Sequence, residues 1–232
     1  VRDGGFDGAV IAAHRGLRAL TDLGHGRVLA DAGVSCARFS RFAKKQGWIG
    51  AEFFAGVPGT MGGALAMNAG AFGSETWSLV DEVELVDREG VFHWFKAQSF
   101  TVSYRKVEIP KRHWFTAGCF QLREGSEDDE GITVRSLLEK RTETQPVRQS
   151  SAGSVFRNPP DDHAARLIEA AGLKGMRFGG ATVSTQHANF IVNDQQASAR
   201  DIETLIDKVR EAVADHAGVV LEPEVQFVGD HQ

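Results

Sequence analysis

Residues 50–73 constrain the fold of this chain more than any other stretch. Seven of these 24 residues are glycine, and they form no simple repeat. Pro58, Gly59 and Thr60 predict a turn that ends in a helix N-cap, and residues 62–69 predict a short, tightly packed helix. Glycines at a helix start let backbone N–H groups approach a ligand closely, and the helix dipole favours an anion there. The whole segment therefore predicts a pyrophosphate site, although a close helix–strand contact is the better explanation for any single glycine pair.

The amino-acid composition limits the classes of protein to which this chain can belong. The chain has 232 residues, 42% apolar and 25% charged, which is typical of a globular protein with one large or two modest domains. Its net charge of −5 argues against general binding to nucleic acid or to anionic membranes. Cys36 and Cys119 are too few and too far apart for a disulfide framework, so we expect buried thiols. The sequence contains no membrane-spanning run and no signal-peptide pattern, which predicts a cytoplasmic protein.

Local patterns predict alternating helices and strands. Ser35 is expected to cap one helix and Asp161 or Asp162 another, while Ser198 and Asp201 form a capping-box pattern before a longer helix that ends near Gly218. Residues 133–144 also predict a helix, and acidic residues 124–130 predict a solvated loop. The predicted strands are residues 9–12, 27–30, 83–87, 91–95, 114–122, 188–192, 219–221 and 225–228.

Three separated polar residues are candidates for catalysis. Arg105 is a fixed cation whose planar donors suit a carboxylate or an enolate oxygen. Ser154 follows a glycine that permits a sharp turn, and Glu224 follows Pro223, which suggests the edge of a strand. Each also has an ordinary explanation, as a surface arginine, a turn serine and a solvated edge glutamate.

Several motifs occur in the order typical of one family. Residues 50–73 closely resemble the glycine-rich segment of the UDP-N-acetylenolpyruvoylglucosamine reductase (MurB) family. The later matching segments are Ser103-Tyr104-Arg105 and residues 141–146, 153–159, 167–175, 183–190 and 221–229. Lys106 and Val107 depart from the family pattern, which often has a serine at the second of these positions. The interval between Arg105 and Ser154 is too short for the family's Tyr-bearing loop, so the chain resembles the shorter type of member.

The resemblance implies an α+β fold in two domains. Residues 1–148 would form an FAD-binding domain of the PCMH/VAO type, and residues 149–232 a smaller substrate-binding domain whose C-terminal strand carries the catalytic glutamate. In the family, an N-terminal subdomain with a Gly-Ser-Asn loop precedes the position of Val1, and we expect it to be missing from this chain. Since no GxGxxG motif follows a predicted strand, a Rossmann fold is not expected.

The resemblance also implies an activity, reduction of UDP-N-acetylglucosamine enolpyruvate in cell-wall synthesis. NADPH would reduce FAD, hydride would pass to the enolpyruvyl C3, and Ser154 would protonate C2 while Arg105 and Glu224 stabilise the enol(ate). Tyr104, Asn158 and His187 are expected near the UDP-sugar substrate. The residues expected to line the flavin are Glu52, Pro58, Gly59, Thr60, Gly62, Gly63, Asn68, Ala69 and Gly70.

Other interpretations remain open at the level of sequence. Residues 50–73 alone would permit a flavoprotein oxidase that acts on a different substrate, but Ser154 and Glu224 in their motifs argue against it. The expected loss of the Gly-Ser-Asn loop supports a nucleotide-sugar-binding remnant unable to retain FAD. The eight histidines show no HxxxH or HExxH spacing, which predicts no metal site. No helix offers a clear second apolar face, so a monomer is expected.

Overall fold

The computed structural model describes residues 1–125 and 134–230. The chain forms two compact units, an N-terminal unit (Val10–Lys140) and a C-terminal unit (Val1–Ala9 with Arg141–Gln232). This division differs from the predicted one at residues 148/149 in both its position and the placement of the first nine residues. These residues join the C-terminal unit because the N–H groups of Arg2 and Gly4 donate to the carbonyls of Val228 and Asp230, at 2.8 and 3.0 Å.

The N-terminal unit is a mixed assembly of short helices and antiparallel strands. Its helices are α1 (Ala13–Gly16), α2 (Cys36–Lys45) and α3 (Met61–Met67), with 3₁₀ turns at Glu52–Gly56, Thr76–Leu79 and Ala97–Ser99. Its strands are β1 (Leu20–Gly24), β2 (Arg27–Asp31), β3 (Trp48–Ile49), β4 (Gly70–Ala71), β5 (Ser74–Glu75), β6 (Val80–Val86), β7 (Phe92–Lys96), β8 (Thr101–Ser103), β9 (Lys106–Glu108), β10 (Trp114–Gln121) and β11 (Arg123–Glu124). Helix α4 (Val134–Thr144) follows them.

The main sheet of this unit has the strand order β1-β2-β10-β6-β7, and every neighbouring pair is antiparallel. Helix α3 packs against β2 and β10, and α2 packs against the first 3₁₀ turn. Phe39, Phe54 and Phe120 are fully buried between these layers, with ring centroids 4.9–6.2 Å apart. The aromatic cluster fixes α2 and the first 3₁₀ turn on one face of the sheet, which positions the start of the glycine-rich segment.

The C-terminal unit has its own sheet and core. Its strands are β12 (Ser151–Ser154), β13 (Arg177–Phe178), β14 (Ala181–Val183) and β15 (Phe190–Asn193), in the spatial order β12-β15-β14-β13. Helices α5 (Ala164–Ala170) and α6 (Ala199–Ala217) pack against each other, and α6 covers β13 and β14. The buried face of α6 contains Leu205, Ile206, Val209 and Val213, four of the five apolar positions that the sequence predicted.

Most of the helix boundaries were predicted by capping residues. Ser35 accepts the N–H of Arg38, and Ser198 forms the capping box with Asp201, which confirms both N-caps. The cap of α5 was predicted wrongly, because His163 occupies that position and the Asp162 carboxylate accepts the N–H of His163 and pairs with Arg166. The predicted helix at residues 133–144 begins at Val134, and most of the acidic loop at 124–130 lies outside the described residues.

The predicted strands at the two chain ends are wrong. Residues 9–12 form no strand and lead into α1, and residues 219–221 and 225–228 are irregular. The C-terminal segment forms an isolated bridge between Phe156 and Pro223 and single backbone hydrogen bonds to residues 2–5. The two hydrogen bonds of this bridge are made by the residues on either side of Pro223, so its missing N–H is not required there. Among the described residues no ladder continues from the bridge, so the predicted strand carrying Glu224 does not form.

Both cysteines are buried free thiols, as predicted. Burial raises the pKa of Cys36 to about 12, and burial also raises the pKa of Cys119. Among the described residues, no helix is both long and apolar enough to cross a lipid bilayer.

Candidate active site

The glycine-rich segment of residues 50–73 surrounds α3. Thr60 is the N-cap of this helix, and its hydroxyl oxygen accepts the N–H of Gly63 at 3.5 Å. A Cβ atom added to Gly62 would lie 2.7 Å from the Cβ of Ala32. Gly62 therefore serves a close approach between the helix and the sheet, the structural explanation that the sequence left open for any single glycine.

The amide groups of the first turn of α3 already have partners. Met61 and Gly62 donate to the carbonyls of Val34 and Ala32, both at 2.8 Å, and Gly63 donates to the Thr60 side chain. The expectation that these amides are free to bind an anion is therefore wrong. The loop that leads from β2 to α2 occupies them because Gly62 allows such close packing.

Unoccupied N–H groups lie just before α3, and open space lies on the exposed side of its first turn. Gly59 is exposed with a φ of +108°, and no atom lies within 4 Å of where its Cβ would be. Within the described part of the chain, the N–H groups of Gly59 and Thr60 have no hydrogen-bond acceptor. A Cβ on exposed Gly63 would meet only the Thr60 hydroxyl, at 3.9 Å. This small surface offers two amide donors and no side chain, which suits a bulky anionic group.

Asn68 and Gly70 are joined to Arg105. Asn68 ends α3 with a φ of +45°, and its buried side chain donates to Glu75 at 2.9 Å and accepts the N–H of Trp77 at 3.0 Å. The Arg105 guanidinium donates to the carbonyls of Asn68 and Gly70, at 3.3 and 3.1 Å. One predicted catalytic residue thus contacts two residues that were predicted to line the flavin.

Arg105 occupies an unfavourable backbone conformation. It forms the two-residue turn between β8 and β9 together with Tyr104, and its φ of +54° lies in the left-handed region. Its guanidinium carbon lies 5.0 Å from the ring centroid of Tyr104, which is 46% exposed. Strained, non-glycine residues that their surroundings hold in place occur often at functional sites, and the catalytic role of Arg105 stays a prediction.

The remaining residues predicted to line the flavin have structural partners. Glu52 begins a 3₁₀ turn, and its carboxylate accepts the N–H of Gly50 at 2.8 Å. Ala69 is buried, and its carbonyl accepts the hydroxyl of Thr76 at 2.7 Å. Pro58 is exposed next to Gly59. Only the last of these three lies at the open surface.

Ser154 and Glu224 are brought together in the C-terminal unit. Ser154 ends β12 after Gly153, whose φ is +85°, and pairs with Phe190 of β15. On the other side of this strand, the N–H of Glu224 donates to the carbonyl of Val155 at 2.7 Å. Glu224 therefore lies beside Val155, the residue that follows Ser154, although Ser154 and Glu224 are 70 positions apart in the sequence.

Asn189 is a residue that the sequence analysis missed. Its side chain is buried, accepts the N–H of Phe156 at 2.9 Å and donates to the carbonyl of Phe156 at 2.8 Å. The amide thus replaces a strand on one side of Phe156, while Pro223 lies on the other side, where no N–H is required. The sequence did contain a signal for this residue, since Asn189 interrupts the apolar run at residues 188–192. An amide side chain buried in such a run must have hydrogen-bond partners.

Asn158 and His187 were both predicted to contact substrate. The exposed Asn158 accepts the N–H of Ala164 at 3.1 Å and so caps the first amide of α5. The ring of His187 packs edge-on against Phe190, and burial lowers the pKa of His187, which favours the neutral imidazole. Its Nδ1 lies 3.3 Å from the N–H of Asn189 and accepts from it, so the proton of the neutral ring lies on Nε2.

Arg157 also escaped the sequence analysis. Its Nε is buried without a partner among the described residues, and its Nη1 is 3.9 Å from the carboxylate of Glu222. A buried guanidinium N–H without an acceptor is a donor available to a ligand. The signal was its position three residues after Ser154.

Comparison with known proteins gives the family. A model of the UDP-N-acetylenolpyruvoylglucosamine reductase C-terminal domain matches residues 145–228, and a model of an FAD-binding domain matches residues 1–96. The UDP-N-acetylenolpyruvoylglucosamine reductase of Alkalilimnicola ehrlichii is 55% identical over 232 residues, which are 100% of this chain and 78% of that protein. The chain belongs to the UDP-N-acetylenolpyruvoylglucosamine reductase family.

Other members of the reductase family support the same assignment. The protein of this name from Methylococcus capsulatus is 53% identical over 100% of this chain and 76% of its own length. The crystal structure of UDP-N-acetylenolpyruvylglucosamine reductase from Thermus caldophilus matches with a TM-score of 0.77 and 33% identity, covering 87% of this chain and 72% of that one. The predicted α+β fold of a flavin-binding domain followed by the family's C-terminal domain is thereby confirmed.

Membership of the reductase family makes this chain an FAD-dependent oxidoreductase. Among the described residues, the N-terminal unit fits such a cofactor beside Gly59 and Thr60, whose N–H groups have no acceptor, and Gly59 and Gly63 place no Cβ in the way. Gly62 packs against Ala32 and donates its N–H to the Ala32 carbonyl, so it holds α3 against the sheet and has no free amide for the cofactor.

Proposed function

We propose that this chain reduces the enolpyruvyl group of UDP-N-acetylglucosamine enolpyruvate to give UDP-N-acetylmuramate, a step of peptidoglycan synthesis. Relatives that carry the reductase name match it over its whole length at more than half identity. The structural observation that carries the proposal is the 2.7 Å hydrogen bond from Glu224 N–H to the carbonyl of Val155, which joins the backbone of Glu224 to that of the residue after Ser154.

The cofactor and the side chains divide the reaction between them. Bound FAD would supply the hydride chemistry, by which reducing equivalents from NADPH would reach C3 of the enolpyruvyl group. Gly59 and Thr60 would hold its phosphates by backbone amides, and the carbonyls of Asn68 and Gly70 support Arg105.

Ser154 is proposed to deliver the proton to C2. A serine hydroxyl is a weak acid, so it can donate only where nearby charge stabilises the alkoxide that remains. Arg105 supplies a permanent positive charge for the enolate oxygen of the substrate. Glu224 would stabilise the enol(ate) together with Arg105.

The test separates the two half-reactions. Ser154→Ala removes the proton donor but leaves the groups that hold the cofactor, so reduction of bound flavin by NADPH should stay close to the wild-type rate. Anaerobic reoxidation by the enolpyruvyl substrate, followed by stopped-flow absorbance, should slow by about 10²–10⁴-fold, the usual contribution of a positioned acid. Glu224→Gln should slow the same half-reaction.

Ser151→Ala is the matched control, because Ser151 is an exposed serine on the same strand. It should leave both half-reactions unchanged. Equal slowing of both half-reactions in Ser154→Ala would refute the assigned role.

Retention of flavin distinguishes the alternatives. If the purified chain keeps its flavin absorption through gel filtration and turns over the substrate, the reductase assignment stands. A colourless protein that binds UDP-sugars would favour the remnant, and turnover of another substrate with oxygen would favour an oxidase. The cytoplasmic location and the monomeric state stay predictions from the sequence.

A further inference from the structure

One edge of the main sheet gathers three metal-ligating side chains outside the candidate active site. Asp87, His93 and His113 come from three neighbouring parts of the sheet, and one potential ligand atom from each lies within 4.8 Å of the other two. Leu85 on β6 pairs with His93 on β7, and Val86 pairs with Trp114 on β10. Asp87 follows Val86 and His113 precedes Trp114, so strand register brings the aspartate and this histidine opposite each other.

Two of the three groups are already oriented by the backbone. Asp87 accepts the N–H of Val91 with its Oδ1 at 2.9 Å, which leaves Oδ2 directed towards Nε2 of His93 at 2.8 Å. The Nδ1 of His113 lies 3.0 Å from the carbonyl of Lys111, a contact in which the ring must donate. This bond fixes the proton on Nδ1 and leaves Nε2 of His113 as a lone-pair donor, the arrangement that metal-bound histidines usually show.

The spacing of the three groups suits a small divalent ion. A tetrahedral ion with bonds of about 2.0–2.1 Å separates its ligand atoms by about 3.3 Å. The Asp87 Oδ2 and His93 Nε2 atoms are closer than this, at 2.8 Å, and every pair of ligand atoms lies within 4.8 Å. Side-chain rotation would bring the three atoms to the spacing that the ion requires. The His93 and His113 rings already approach each other, with centroids 5.9 Å apart.

We propose that Asp87, His93 and His113 form a site for a borderline divalent metal ion of the Zn²⁺ class. Two imidazoles and one carboxylate are a donor set that such ions prefer over Mg²⁺ and Ca²⁺, which favour oxygen ligands alone. Three protein ligands leave one position for water. The His93 side chain is 41% exposed, so an ion can enter from solvent.

The ion would join the turn between β6 and β7 to the start of β10. Binding energy that is available only in the folded state adds to stability by mass action. The site is independent of the proposed reaction, and its test does not require turnover.

The experiment uses the full chain after treatment with a chelator. Isothermal titration with Zn²⁺ should show one strong equivalent, and X-ray absorption of the loaded protein should show nitrogen and oxygen ligands at about 2.0–2.1 Å with two imidazoles. His113→Gln should weaken binding by about tenfold or more, and Zn²⁺ should raise the Tm of the wild type but not of this variant.

Two further variants keep the result interpretable. Asp87→Asn retains the oxygen that accepts Val91 N–H, so the turn persists while the charged ligand is lost, and it should also bind Zn²⁺ more weakly. His216→Gln, at the last turn of α6, removes a histidine outside the cluster and should bind as the wild type does. Absence of a saturable equivalent, or equal affinity in His113→Gln and His216→Gln, would overturn the proposal.

Discussion

Removal of the Asn189 side chain should destabilise the C-terminal unit strongly. Asn189→Ala leaves the N–H and the carbonyl of Phe156 without partners in a site where Phe156 is only 2% exposed. Each unsatisfied buried backbone group costs about 1–3 kcal/mol, so the free energy of unfolding should fall by about 2–5 kcal/mol. The strand that carries Ser154 should loosen with it.

Urea unfolding followed by far-UV circular dichroism measures this loss. Tryptophan fluorescence is unsuitable, because all four tryptophans belong to the N-terminal unit. Asn158→Ala is the matched control: this exposed amide makes one hydrogen bond, so its loss should cost about 1 kcal/mol or less. If Asn189→Ala costs no more than Asn158→Ala, the amide does not act as a substitute strand.

Asn189→Asp gives a second, pH-dependent test of the same contact. A buried carboxylate facing the carbonyl of Phe156 is unfavourable, so its folded-state pKa should rise above the unfolded value of about 3.9. The protonated acid can donate as the native amide does. Stability should therefore recover as the pH falls towards 4 and decline as the pH rises through the folded pKa. A variant whose deficit relative to wild type is the same at all pH values would contradict this reasoning.

Three further predictions test local features by urea unfolding. Gly62→Ala should cost about 1–3 kcal/mol through overpacking, while Gly63→Ala, with open space at its Cβ, should gain up to about 1 kcal/mol of helix propensity; equal effects would refute the packing argument. Ser198→Ala should cost about 1 kcal/mol by breaking the capping box. The Arg166 guanidinium lowers the pKa of Asp162 to about 2, so this pair should stabilise above pH 4 and lose its effect as the pH falls to 2; Asp162→Asn should abolish that part of the acid dependence.

Local signals in the sequence were reliable where a single contact decides the structure. Ser35, Thr60 and Ser198 each cap the helix that the sequence predicted, because a capping hydroxyl reaches an amide three residues away whatever the rest of the chain does. The family was also evident from the collinear motifs, and the comparisons confirmed it.

Failures occurred where a distant segment supplies the partner. The first amides of α3 were expected to be free for an anion, but the carbonyls of Ala32 and Val34 occupy them. The segment at residues 225–228 alternates like a strand, yet pairing through Pro223 stops after one bridge. In both cases the partner lies tens of residues away, outside the short stretch of sequence over which a local pattern is detected.

The sequence by itself determined the α+β class, the N-caps of α2, α3 and α6, the glycine-rich segment and the candidates Arg105, Ser154 and Glu224. Tertiary structure alone decided that Arg105 rests on the carbonyls of Asn68 and Gly70, that Asn189 holds the strand next to Ser154, and that two distant histidines meet one aspartate. The physical reason is the sequence separation over which each interaction acts. Capping and periodicity act within one or two turns of chain, whereas strand register and the pairing of buried polar groups depend on segments that are far apart in sequence.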